Sequence, residues 1–227
     1  MEQDILTKAK QQSIGRLREH SFLRRCRSGE ISLEELKIYL VQQGFYSAYF
    51  TRYLCAVMAG LPGNREVTAL STNLFEELGL TPDSDKPHHL IYSEMLADFS
   101  ISLEEHQPTY GTRHLIDTMF RCCRSTDPAS GLGALFLGAE ALVPDLYGDI
   151  IKGFEYCGIA ADSIEFFHIH TLCDDAHSKT LHDILREMAR RDSASVPVMI
   201  GAGMALVDAR LHFFSAIEAQ HAGHPHF

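Results

Sequence analysis

Residues 165–188 read EFFHIHTLCDDAHSKTLHDILREM, and the rest of the chain is best interpreted outward from this stretch. Phe166/Phe167, Cys173, Leu181, Ile184/Leu185 and Met188 recur at helical spacing, so one long helix is expected over about 162–192. Set into that apolar stripe are His170, Asp174 and His177. At about 100° per residue their offsets span an arc of roughly 60°, so all three side chains point one way. Two imidazoles and a carboxylate facing a core are costly without partners. A divalent metal is one such partner, and this mix of nitrogen and carboxylate oxygen suits iron or manganese. Taken alone, the three would also fit a buried hydrogen-bonded network.

Other helices repeat the pattern. Over about 129–157 the face Leu135/Phe136, Ala139, Val143, Leu146/Tyr147, Ile150 carries Glu140 in its middle, and ionised carboxylates are seldom buried without partners. Over about 64–79 the stripe Val67, Leu70, Leu74 continues to Glu77, while Glu76 lies about 100° away and is expected to be solvated. Over about 87–101 His88 aligns with Ile91, Tyr92, Met95 and Phe99, and His89 flanks them. Glu77, His88, Glu140, His170, Asp174 and His177 are therefore the expected metal ligands, with Glu77 and Glu140 as the catalytic carboxylates. Two divalent ions against three carboxylates leave about one positive charge to share with hydroxide or substrate. Glu165-x-x-His168 and Glu218-x-x-His221 match the spacing of other helical dimetal sites. However, His168 points away from the His170 face, and His221 falls at a helix end.

The remaining helices are expected at about 3–27, 32–60, 109–125 and 196–221, with a kink near Pro144 and a frayed tail at about 222–227. Ser32-Leu-Glu-Glu35 forms a capping box, and no hairpin signal appears. The 227 residues suffice for one all-α domain, 1–227, a bundle of seven to eight helices. A net charge of −10 argues against gripping nucleic acid or anionic lipid, and no uninterrupted apolar run reaches membrane-spanning length. A cytoplasmic location is expected, with the six cysteines reduced.

The order Glu77, His88, Glu140, His170-x3-Asp174-x2-His177 resembles the haem-oxygenase-like dimetal oxidases and oxygenases. Asn73-Leu-Phe-Glu-Glu-Leu-Gly79 and Gly138-Ala-Glu-Ala-Leu-Val-Pro144 are similar to that family's two carboxylate segments, and the CADD-like group, related to TenA-like and PqqC-like proteins, looks most similar. The resemblance implies a haem-oxygenase-like fold, two iron ions with manganese as a possible substitute, and O2 as co-substrate. It further implies a small-molecule substrate derived from an amino acid, fatty acid or aromatic metabolite, and a homodimer. No acid lies between Glu35 and Glu66, so a further carboxylate ligand from the second helix is not expected. Aromatics of that helix (Tyr39, Phe45, Tyr46, Tyr49, Phe50, Tyr53) are candidates to line the pocket. Two alternatives remain open at this level. One is a metal-free TenA- or PqqC-like enzyme, with Cys173 as the nearest nucleophile; the other is a non-catalytic helical interaction protein.

Overall fold

The computed structural model describes the backbone from 2 to 223 apart from Asp83, and the side chains of 2–4 and 172–176 lie outside the description. Eleven α-helices are present among these residues: α1 (Glu2–Arg18), α2 (Ser21–Ser28), α3 (Leu33–Ser47), α4 (Phe50–Gly60), α5 (Asn64–Glu77), α6 (His88–Asp98), α7 (Tyr110–Cys123), α8 (Pro128–Gly138), α9 (Val143–Tyr156), α10 (Glu165–Arg191) and α11 (Ser195–His221). The only β-pairing among them is an isolated bridge between Thr81 and Ser84.

The count exceeds seven or eight because three of the expected helices are broken. The first breaks at Glu19–His20, where His20 accepts a hydrogen bond from the Phe22 amide and caps α2. The second begins as expected, with Ser32 Oγ accepting from the Glu35 amide, but breaks at Ala48–Tyr49. In the third, Pro144 has no N–H to donate to the Glu140 carbonyl, so the helical ladder stops upstream instead of kinking at the proline. Ala139 takes φ −136°, ψ −89°, and Glu140–Leu142 form a 3-10 turn. Glu140 therefore sits at a break between α8 and α9, not mid-helix.

α8 and α11 pack centrally at very close range. A Cβ on Gly133 would lie 2.3 Å from the Met199 carbonyl oxygen, and one on Gly203 would lie 2.4 Å from Leu137 Cβ. Beside them Phe22 stacks on Phe214 at 5.1 Å, with Tyr39 and Phe213 completing a buried aromatic cluster. Each such side chain contributes about 1.5–3 kcal/mol by leaving water. By averaged composition Pro128–Tyr156 and Ser195–His221 are long and apolar enough for a membrane span, but the first is mostly and the second half buried in the bundle. Core helices apolar on all sides pass the same test.

Four carboxylates are deeply buried among the described residues: Glu35, Glu77, Glu140 and Asp149. Two are matched by arginine. Arg25 forks onto Glu35 at 2.5 and 2.6 Å, and Asp149 receives Arg18 at 2.9 and 3.0 Å and Arg27 at 2.6 Å. Glu77 and Glu140 have no arginine or lysine, only histidines.

Candidate metal centre

Glu77 closes α5, and the next ten residues return the chain to it. The turn depends on Gly79, whose φ of +68° is left-handed and whose missing Cβ would lie 2.5 Å from the Lys86–Pro87 peptide. Only glycine lets the returning strand come so close. Ser84 Oγ donates to the Glu76 carbonyl at 3.2 Å, holding the loop against the end of α5. His88 then begins α6 with Nδ1 3.1 Å from Glu77 Oε1. His88 is buried beside Glu77, whereas His89 is exposed at the cavity.

His170 comes from α10. Its Nδ1–H donates to the Phe166 carbonyl at 2.7 Å, which fixes the tautomer and leaves Nε2 as a lone-pair donor. That Nε2 lies 3.9 Å from Glu77 Oε1, and the His88 and His170 rings meet edge to face at 4.7 Å. One ligand atom from each of Glu77, His88 and His170 falls within a common 4.8 Å.

A second group adjoins the first. His177, two turns along α10, has Nδ1 3.9 Å from Glu140 Oε2. Its Nε2 is 2.9 Å from Glu76 Oε2, so the Nε2–H donates to that carboxylate. Glu76 is thus not simply solvated: it orients His177, as a carboxylate behind a ligating histidine does. Asn73, buried on α5, donates to the His177 carbonyl at 3.5 Å and ties the two helices together. Asp174 and Cys173 lie outside the described side chains. Glu218 of the second Glu-x-x-His match pairs with Arg25, and Glu165 of the first is exposed, so neither match belongs to the site.

The electrostatics are those of carboxylates awaiting a cation. Burial pushes Glu140 up to about 7, only partly offset by His177, and its Oε1 has no hydrogen-bond partner among the described residues. Burial also pushes Glu77 upward, but the adjoining imidazoles of His88, His170 and His177 bring it below the usual carboxylate range. Burial lowers His170 to about 4, keeping it neutral and fit to ligate. Burial lowers His177 too, but Glu140, Glu76 and Glu77 outweigh it and raise the net value. Nitrogen and carboxylate ligands with no cation of their own suit iron or manganese, so the donor set of Glu77, His88 and His170 fits such an ion.

Glu77, His88, Glu140 and His170 border a cavity of about 260 Å³. Of the aromatics expected to line it, Tyr46 and Phe50 do, joined by Tyr92, Tyr147 and Phe166, while Tyr39 and Tyr53 are buried in the packed core. Arg210 of α11 also lines it and was not anticipated from the sequence. Among the described residues no cysteine borders the cavity.

Residues 37–209 match the model of a family described as iron-containing redox enzymes. The chain is 24% identical over 179 residues to a 4-aminobenzoate synthase of Chlamydia pneumoniae, covering 77% of each protein. To the 4-aminobenzoate synthase of Chlamydia trachomatis it is 25% identical over 182 residues, covering 78% of this chain and 76% of that one. A solved CADD-like protein of unknown function from Nostoc punctiforme superposes with TM-score 0.79 at 20% identity, covering 98% of this chain and 99% of that one. A TenA homologue from Pseudomonas syringae superposes with TM-score 0.78 at 16% identity, covering 94% and 91%. The structural likeness identifies the haem-oxygenase-like all-α fold. With most of its length matched, the chain belongs to the iron-containing redox enzyme family.

Proposed function

We propose that this protein is a non-haem diiron oxidase or oxygenase that uses O2 to oxidise a small organic substrate. The observation that carries the reading is the set of buried acids without a basic partner. Glu77 and Glu140 border one pocket with His88 and His170, and His177 lies 3.9 Å from Glu140, whereas the other deeply buried acids, Glu35 and Asp149, have arginines. Glu77, His88 and His170 would hold one ion. Glu140 and His177, with Asp174 added from the spacing on α10, would hold the other. When bound, the irons supply the O2 and redox chemistry. The protein's own part is orientation and exclusion of water. Phe166 fixes His170, Glu76 fixes His177, and the Gly79 turn fixes His88. Phe50, Val143, Leu146 and Phe166 give the cavity apolar walls that keep the reacting centre poor in water.

A cysteine-based, metal-free reading has no support among the described residues. The buried Cys26 and Cys123 thiols are pushed up, Cys123 to about 12, and neither borders the cavity. The named activity of the Chlamydia relatives makes 4-aminobenzoate the first product to look for. The test is O2 uptake by anaerobically prepared, Fe(II)-loaded protein on mixing with aerated buffer. Rapid uptake in proportion to bound iron, absent in Glu77→Ala, is expected. Uptake no faster than that of free Fe(II) would defeat the proposal.

A further inference from the structure

The cavity carries a second set of polar groups that metal binding does not use. Arg210, only 3% exposed, borders it from α11. Among the described residues its one hydrogen bond runs from Nη2 to the Gly138 carbonyl at 3.3 Å, and its Nε has no partner. Among the described residues no carboxylate lies within salt-bridge distance, although the less buried Arg18, Arg25 and Arg27 each have one. The guanidinium rests over the Tyr46 ring at 5.0 Å and attracts its hydroxyl, which lies buried beside the cavity and makes no well-formed hydrogen bond among the described residues. Beside them Gln43 donates to Tyr147 Oη at 3.1 Å while its own Oε1 is left without a donor.

A buried cation without a counter-charge costs several kcal/mol. Three adjacent unmatched groups, a guanidinium edge, a hydroxyl and an amide oxygen, all on one cavity wall, are the expected signature of a ligand that completes them. We propose that Arg210 and Tyr46 bind the carboxylate of a small organic acid, which is the substrate of the oxidase proposed above, and that Gln43 Oε1 accepts from a donor on the same molecule. The proposal rests on that functional reading for the word substrate, but not for the binding site. A planar carboxylate can take the free Nε edge of a guanidinium and the Tyr46 hydroxyl together. A phosphate would bring a second negative charge to a single buried cation. Arg52, exposed at the mouth, gives an otherwise acidic protein a local attraction for an anion. The cavity's size limits the ligand to a small metabolite, with Phe50, Leu146 and Phe166 against its apolar part.

The test is calorimetric titration of the full-length protein, metal-free and Mn(II)-loaded, with benzoate and 4-hydroxyphenylacetate, their neutral amides, and inorganic phosphate. At least one acid should bind at millimolar concentration or below, and its amide should bind about 10–100-fold more weakly, as expected for losing a charge-assisted pair. Arg210→Met should weaken the acid by a similar factor, Arg210→Lys by less, and Tyr46→Phe measurably, all with wild-type helical circular dichroism and Mn(II) stoichiometry. If Arg210→Met misfolds, Arg210→Lys and Tyr46→Phe carry the comparison. Binding of neither acid, equal binding of acid and amide, a preference for phosphate, or indifference to Arg210 and Tyr46 overturns the proposal. Acid binding that requires Mn(II) but ignores Arg210 overturns it while leaving the metal reading standing. Arg210-dependent binding in a protein that takes up no metal upholds the clamp and removes the diiron reading.

Discussion

Glu140→Gln should make the metal-free protein more stable and the metal-loaded protein less so. Burial raises the Glu140 carboxyl from 4.5 to about 7, so between those values the folded state holds a proton that the unfolded chain has released. Stability from this group is therefore present at low pH and lost as pH rises, with the full penalty above about pH 7. A shift of that size is worth about 3 kcal/mol at about 1.4 kcal/mol per unit. The attraction of His177, 3.9 Å away, is already contained in that figure, but the buried glutamine amide would itself be short of partners and give back about 1 kcal/mol. A neutral glutamine of the same shape should thus gain about 2 kcal/mol at pH 8, or roughly 4–8 °C in Tm for a chain of this size. The gain should shrink as pH falls below about 7 and vanish only below about pH 4.5, where the wild-type carboxyl is protonated in both states. Mn(II) should raise the wild-type Tm by mass action and the variant's far less. The assay is thermal unfolding by circular dichroism at pH 5, 6.5 and 8, with chelator and with Mn(II). A metal-free Glu140→Gln protein less stable than wild type at pH 8 would refute the reasoning, because it would mean that local partners already satisfy the carboxylate.

Three further outcomes are expected. Glu76→Ala should keep both ions but weaken metal affinity about 10–100-fold, the usual cost of losing the carboxylate behind a ligating histidine; unchanged affinity in a metal titration would show that the Glu76–His177 bond orients nothing. Gly79→Ala forces a Cβ into a left-handed turn and against the Lys86–Pro87 peptide, so Tm should fall by at least about 4 °C and iron retention should drop with it. A wild-type melting curve would contradict the role given to that turn. Asp149→Ala removes a shared partner of Arg18 and Arg27, which are partly exposed and keep Asp145 and the Arg18 carbonyl, so it should cost about 1–3 kcal/mol in denaturant unfolding yet leave the iron stoichiometry of the folded protein untouched.

Much of the site was legible because helical periodicity makes a buried polar residue conspicuous. His170 and His177 interrupt the stripe of α10, and Glu77 and His88 continue those of α5 and α6; all four are buried where that pattern puts them. What escaped has physical reasons. Glu76 lies off the stripe, but a glutamate side chain is long enough to reach back across the helix edge to His177. The break at Ala139 has its cause five residues downstream, since Pro144 withholds a hydrogen bond from the preceding turn. The Ala48–Tyr49 break has neither glycine nor proline to mark it. Arg210 was passed over because α11 is apolar on nearly every side and so has no polar face against which an inward charge stands out. A signal was present nonetheless: from Val196 to Ile217 the only Asp, Glu, Lys or Arg residues are Asp208 and Arg210, and Asp208 is exposed and paired with Arg16.

The central claim is that five buried histidines and acids, with Asp174, exist to hold two irons. Its most direct test is the iron content per folded chain after anaerobic reconstitution with Fe(II) and removal of loosely bound metal, for wild type and for His170→Ala and His177→Ala. The account predicts close to two irons per wild-type chain and a loss of at least one in each variant, with helical circular dichroism preserved. A wild-type chain that retains no iron under replete conditions, or variants that retain the wild-type complement, would contradict it.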